Sequence, residues 1–190
     1  CQFQPKGITT ESGTYPIVRM NWVDGPTLAA YTSDHRNDAS ALQALRVALR
    51  ARAAHLREHG IAHGDIQPTN LIVRGPTDLR LIDYDGMYVP QLAVRASAEL
   101  GRRNFQPAER RACHFDANLD RFSFTLIDLA LDAICRHPDL WEQTDSGADA
   151  FILRAVDFAD PANSPAFRLL ASVPGLEPRV THFAASCRSP

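Results

Sequence analysis

The stretch His63-Gly64-Asp65-Ile66-Gln67-Pro68-Thr69-Asn70-Leu71-Ile72-Val73 decides the reading of this chain. It passes from a polar loop into an apolar run. Residues 71–73 and 79–82 enclose Gly75-Pro76-Thr77-Asp78, a spacing that predicts an antiparallel hairpin. The outer ends of paired antiparallel strands meet. Asn70 and Asp83, 13 residues apart in sequence, therefore become neighbours in space. Two hard oxygen ligands at adjacent strand ends suit Mg²⁺, with phosphate oxygens and water completing its octahedron. Asp65, on the same loop as Asn70, is placed to accept a proton from an attacking hydroxyl. A metal clamp and an oriented nucleophile are what phosphoryl transfer needs. Any one of the three would read as a turn cap.

Working outward, Leu42, Leu45, Leu49, Ala53 and Leu56 recur on one face of a long helix. Asp38 or Ser40 caps it and Gly60 stops it, while Arg46, Arg50, Arg52 and Arg57 fall mostly off the stripe. Further upstream, Ile8-Thr9-Thr10 and residues 15–20 read as two extended pieces around a turn at Glu11-Ser12-Gly13. Gly25-Pro26 ends them; Pro26 opens a short helix over 27–31, and 33–38 reads as a loop. Downstream, 87–118 is irregular, which in a compact domain points to function. Residues 119–136 are apolar nearly all round, so this helix should be central. Further helices are predicted over 148–158, 165–172 and 179–187. Strands, helix, hairpin, loop and then helices make an α+β fold with a helical majority.

Composition bounds the function classes. The 190 residues are 45% hydrophobic and 22% charged, ordinary for a globular chain. Net charge is −2, so no global basic field argues for nucleic acid, and no apolar stretch is long enough to suggest a membrane span. Four cysteines (Cys1, Cys113, Cys135 and Cys187) are scattered without a CxxC pair, which favours a reducing, cytoplasmic setting over a disulfide framework. The opening residues carry neither initiator Met nor signal-peptide pattern and read like the middle of a longer chain. Lys6 is the only lysine; the other 19 basic residues are Arg.

The full loop pattern resembles the protein-kinase superfamily. His63 to Asn70 resembles its catalytic loop. Asp83-Tyr84-Asp85-Gly86 resembles its metal-binding Asp-Phe-Gly, with Tyr84 in the aromatic place and Asp85 in the glycine place. Phe105-Gln106-Pro107-Ala108-Glu109 is similar to the Ala-Pro-Glu end of an activation segment, with Pro and Ala exchanged. Leu119-Asp120-Arg121-Phe122-Ser123 resembles the start of the buried helix that follows, and Met20-Asn21-Trp22-Val23-Asp24-Gly25 the gatekeeper and hinge. Five motifs in the right order carry the resemblance. It is closest to a bacterial kinase-like group with HGDxQxxN and DYDGMxVP, the latter continued by Met87-Tyr88-Val89-Pro90.

The resemblance implies a mainly helical kinase-like large lobe over 26–190, with remnant small-lobe strands and hinge over 1–25. It implies that Asp65 is the catalytic base, that Gln67 stands in the place of a phosphate-neutralising lysine, and that Asn70 and Asp83 hold Mg²⁺. Adenine of ATP would lie against Met20, Asn21, Val23 and Ile72. His63 and Tyr84 would stack in the core, Asp120 would hold the loop backbone, and Glu109 would be anchored by Arg154 or Arg168. Gly64 stands where regulated kinases keep an arginine that pairs with a phosphorylated segment.

A Gly-rich loop and a strand lysine are missing, and Lys6 lies too close to Met20 for an intervening helix. The chain alone is therefore expected to be inactive and to need a missing N-terminal lobe or partner domain. Three functions stay open: a lobe of a protein kinase acting on a protein hydroxyl, a pseudokinase scaffold, or a small-molecule kinase, which an acidic substrate pocket in the later helices would favour. His55-Leu56-Arg57-Glu58-His59 spells a zinc-protease motif but sits where histidine suits a helix C-terminus. Arg102, Arg103, Arg110 and Arg111 read as a solvated basic surface, and Cys113 as an inert thiol.

Overall fold

The apolar stripe upstream of the loop forms helix α2 (Ala39–Glu58), and the apolar run after Asp120 forms α3 (Arg121–Arg136). In this computed structural model, which describes residues 2–187, the two helices pack against each other and carry the core between them. The Asp38 carboxylate accepts the Ala41 N–H at 3.0 Å and starts α2. Gly60, at φ 64°, stops it: Ile61 N–H reaches back to the Leu56 carbonyl at 3.1 Å. Leu42, Leu45 and Leu49 are fully buried, as are Leu126, Ile127, Leu131 and Ile134 of α3.

Ahead of them, β1 (Gln2–Thr10) and β2 (Gly13–Arg19) form one antiparallel hairpin; β3 (Leu71–Gly75) and β4 (Asp78–Leu81) form a second. Helix α1 (Leu28–His35) packs against α2 and β3, capped by the Thr27 hydroxyl, which accepts from Ala30 N–H at 3.2 Å. After α3 come four short helices: α4 (Leu140–Gln143), α5 (Ala155–Ala159), α6 (Pro165–Ala171) and α7 (Glu177–Ser186). Mixed strands and a helical majority make the fold α+β, as the element order predicts. Among the described residues no helix is long and apolar enough to cross a membrane.

Four sequence expectations need correction. The short helix runs on to His35, through part of the expected loop. Residues 148–154 are not helical; Phe151, Ile152 and Leu153 are all buried, and Ile152 sits at φ 63°, so this apolar run is plugged into the core as irregular chain. Residues 140–143 are a helix the periodicity did not show. Arg46 is buried, 6% exposed, rather than off the apolar stripe.

Arg46 is buried because α3 offers it partners. Asp128 and Asp132, also buried, receive Arg46 and Arg50 of α2 and Arg179 of α7, and Asp132 also receives Arg136 of its own helix. A buried carboxylate is tolerable only when paired and hydrogen-bonded. Burial pushes the Asp132 carboxyl up, but the Arg136 hydrogen bond and the charges of Arg46, Arg179 and Arg136 outweigh it, and the group is held below the usual carboxylate range. Cys135 and Cys113 are free thiols; burial pushes the Cys187 thiol up to about 12, which leaves it protonated and inert. Cys1 lies outside the described residues.

Candidate functional site

The 63–70 loop has no regular structure, so its backbone is held by side chains. The main holder is Asp120, at the start of α3. Its two oxygens accept the N–H groups of His63 at 2.5 Å and Gly64 at 2.8 Å. Burial pushes the Asp120 carboxyl up, opposed by those two donors and by His63. Asp120 thus stands under the loop, as the resemblance implies.

His63 is fully buried and its Nε2 lies 2.9 Å from the Ile82 carbonyl, tying the loop to the end of the second hairpin. Tyr84 approaches His63 with ring centroids 5.7 Å apart, but it is 42% exposed, so the expected stack is open on one side. Gly64 has a steric reason to be glycine. It sits at φ 87°, and a Cβ there would lie 2.2 Å from the Gly86 carbonyl oxygen. The place where other sequences of this pattern keep an arginine is filled by the backbone of the 83–86 turn.

Asp65 is the best-partnered group on the loop. One carboxylate oxygen accepts the Gln67 amide at 2.5 Å and the Asn70 amide at 3.0 Å. The other accepts the Arg102 N–H at 3.1 Å. The Asn70 amide also donates to the Asp65 carbonyl at 3.0 Å. Asp65, Gln67 and Asn70 are therefore one cluster, as the spacing suggests. The Arg102 contact was not legible: it depends on Gly101, at φ 72°, where a Cβ would come within 2.8 Å of the Asp65 carboxylate. The only signal was a glycine in the irregular segment.

Asp83 follows from the hairpin. Ile82 N–H donates to the Asn70 carbonyl at 3.1 Å, so the backbone pairing runs one step past the strands and sets Asp83 beside the start of β3. Asp83 is exposed and held at φ 66°, a strained conformation that clusters at functional sites. Among the described residues no group of three or more His, Cys, Asp or Glu is gathered that could hold a metal ion, so the oxygen donors Mg²⁺ would find here are two. With the Asn70 amide nitrogen turned to Asp65, its Oδ1 and the Asp83 carboxylate have no hydrogen-bond partner among the described residues.

The expected adenine side is only partly gathered. Val73 N–H donates to the Pro26 carbonyl at 2.9 Å, and a Cβ on Gly25 would meet the Val73 carbonyl oxygen at 2.5 Å. This contact ties Gly25 and Pro26 to β3 and to buried Ile72. Met20 is 52% exposed, Asn21 is exposed and Val23 is half-buried, so these three do not form a closed pocket with Ile72.

Glu109 corrects another expectation. It is exposed and faces Arg111 at 3.7 Å. Arg154 instead donates to the carbonyls of Thr144 and Asp145, and Arg168 to that of Asn163, so neither anchors Glu109. The segment is held by other groups: the Ser123 hydroxyl donates to the Phe105 carbonyl at 2.6 Å, and Asn104 bridges the Asp149 carbonyl and the Ala155 N–H.

No family model matches the chain. It is 32% identical over 87 residues to the serine/threonine-protein kinase YabT of Bacillus subtilis (strain 168), a stretch covering 45% of this chain and 25% of that protein. The chain therefore spans about a quarter of the length of the curated relative it matches. This likeness supports a distant, kinase-like relationship.

Proposed function

We propose that this chain is the large lobe of a kinase-like phosphotransferase that moves the γ-phosphoryl group of Mg-ATP to a hydroxyl. The carrying observation is the Asp65 cluster: one carboxylate oriented by Gln67, Asn70 and the Arg102 backbone, on a loop clamped from beneath by Asp120. In the step, the acceptor oxygen bonds to the γ-phosphorus, the bond to the ADP oxygen breaks, and the hydroxyl proton passes to Asp65. Asn70 Oδ1 and Asp83 would hold Mg²⁺, which neutralises charge on the phosphates when bound. Gln67 donates a hydrogen bond where a lysine would bring a charge. ATP would lie between the 20–23 stretch and Ile72.

Lys6 is exposed on β1, and no other lysine exists to meet the phosphates. A complete active protein must therefore supply that cation and a glycine-rich loop from elsewhere. In the longer protein, phosphate transfer should require Mg²⁺ and fall about 100-fold or more in Asp65→Ala. Full turnover by this chain alone, or an Asp65→Ala protein as active as its parent, would overturn the reading. The same lack of lysine supports a second reading, a pseudokinase module that binds a partner without transferring phosphate. Transfer by the longer protein decides between the two.

A further inference from the structure

Helices α2 and α3 leave an open groove of about 430 Å³ between them. Its floor is apolar. Ala53 and Ala54 of α2 are half-buried, and Phe124 and Thr125 of α3 line the opposite wall. Val47, two turns before Ala54 on the same face of α2, is 53% exposed and extends the apolar strip. The distance between packed helices is set by the side chains at their contact, so the small residues of the α2 wall let a third helix come close.

Charge along the groove is uneven. Arg46 meets Asp132 and Arg50 meets Asp128, each at 2.9 Å, so a step forward on α2 is a step back on α3. Carried two turns further, about 10 Å, this antiparallel pairing brings the turn of Arg57 to the turn of Arg121. Arg57 lines the groove, and Arg121 stands one turn before Thr125, whose hydroxyl donates to the Arg121 carbonyl at 2.7 Å. Both arginines are exposed, and neither makes an ion pair among the described residues. Asp128, the acid on the groove, is already held by Arg46, Arg50 and Arg179. An apolar groove thus ends in two unanswered cations, a combination that suits a partner with an apolar face and a carboxylate beside it.

We propose that this groove docks an amphipathic helix of another protein, its apolar stripe on Phe124, Ala53 and Ala54 and its Asp or Glu, one turn further on, against Arg57 and Arg121. Both walls are helices whose backbone groups are paired internally, so an extended strand finds no edge to join, whereas a helix needs only side chains. Charge argues against a second copy of this chain. Its α2 has a matching stripe but carries four arginines to one glutamate. Val156 is the other large apolar residue exposed on a described helix, and its neighbour Asp157 is taken by the Arg154 N–H and the Ser164 hydroxyl.

The test is binding, measured without ATP. Three fluorescent helical peptides share one leucine stripe and differ only in carrying Glu, Gln or Lys one turn beyond it; each is titrated with the full chain by anisotropy. The Glu peptide should bind tightest and the Lys peptide weakest, with the difference shrinking in salt. Arg57→Gln and Arg121→Gln should each cut the preference for Glu over Gln about threefold, as for exposed pairs, and about tenfold together. Ala54→Tyr fills the groove and should weaken all three peptides roughly tenfold. If that variant fails to fold, the two arginine variants, both surface changes, keep the test decisive. Equal binding of all three peptides, no binding of any, a Glu preference that survives both arginine changes, or peptide binding unmoved in a folded Ala54→Tyr chain would overturn the proposal. So would binding to phosphatidylserine vesicles through Arg57 and Arg121 with no preference among the peptides, which would assign this face to a membrane surface. Asp65 and its neighbours play no part in the readout, so docking and phosphotransfer can each fail while the other stands.

Discussion

The two hairpins are built alike and live differently. β1–β2 is the longer, with Phe3, Ile8, Tyr15 and Val18 each at least 45% exposed. β3–β4 is short, yet Leu71, Ile72, Val73, Leu79 and Leu81 are all buried. Strand propensity does not separate them. What separates them is cover: α1 and α2 pack against the second hairpin, and Arg52 of α2 donates to the Leu79 carbonyl at 3.0 Å. A lone two-stranded sheet is marginal in water. Asn70 and Asp83, the candidate metal ligands, flank the covered hairpin, and its backbone pairing runs on to the Asn70 carbonyl.

Leu71→Ala should strain that contrast most. Leu71 is fully buried, and truncating it should cost roughly 2–5 kcal/mol in chemical denaturation. A loss below about 1 kcal/mol would mean the second hairpin is no better anchored than the first. Asp120→Asn comes next. It removes the charge that receives two buried N–H groups under the loop and should cost roughly 1–3 kcal/mol, with the 63–65 amides losing exchange protection.

Acid should sharpen the picture. Because the folded Asp132 value is lowered, its contribution is present above the unfolded value near pH ~4 and is lost as pH falls through the lowered one. Asp120 has the opposite sign: its raised value makes the loop clamp least costly at low pH. Stability measured from pH 7 downward should thus fall with protonation of Asp132, and Asp132→Asn should flatten that fall. The smallest effect belongs to the first hairpin. Val18→Ala, at a site 56% exposed, should change stability by less than about 0.5 kcal/mol. A larger loss would show that something covers β2 in solution.

The legible parts were those with local causes. A hairpin spacing puts Asn70 near Asp83, a short loop puts Asp65 near Asn70, and an apolar stripe makes α2. What escaped depends on distant partners. Phe151-Ile152-Leu153 reads as helix because burial on all sides looks the same in either structure. Arg46 is buried only because Asp128 and Asp132 wait on α3, a pairing that two acids four residues apart in an otherwise apolar helix could have signalled. Glu109 faces Arg111 rather than Arg154, whose guanidinium is taken by the carbonyls of Thr144 and Asp145.

The charge cluster on α3 also carries a schedule. A chain is made from its N-terminus, and of the helices described α7 leaves the ribosome last. Until it does, Asp128 and Asp132 lack Arg179, and the α2–α3 pair waits with part of its buried charge unanswered. Most of the fold should therefore settle only after synthesis has passed that helix. Chains cut before Glu177 should remain open to protease where the longer chain resists, and Arg179→Met in the full chain should reproduce part of that openness.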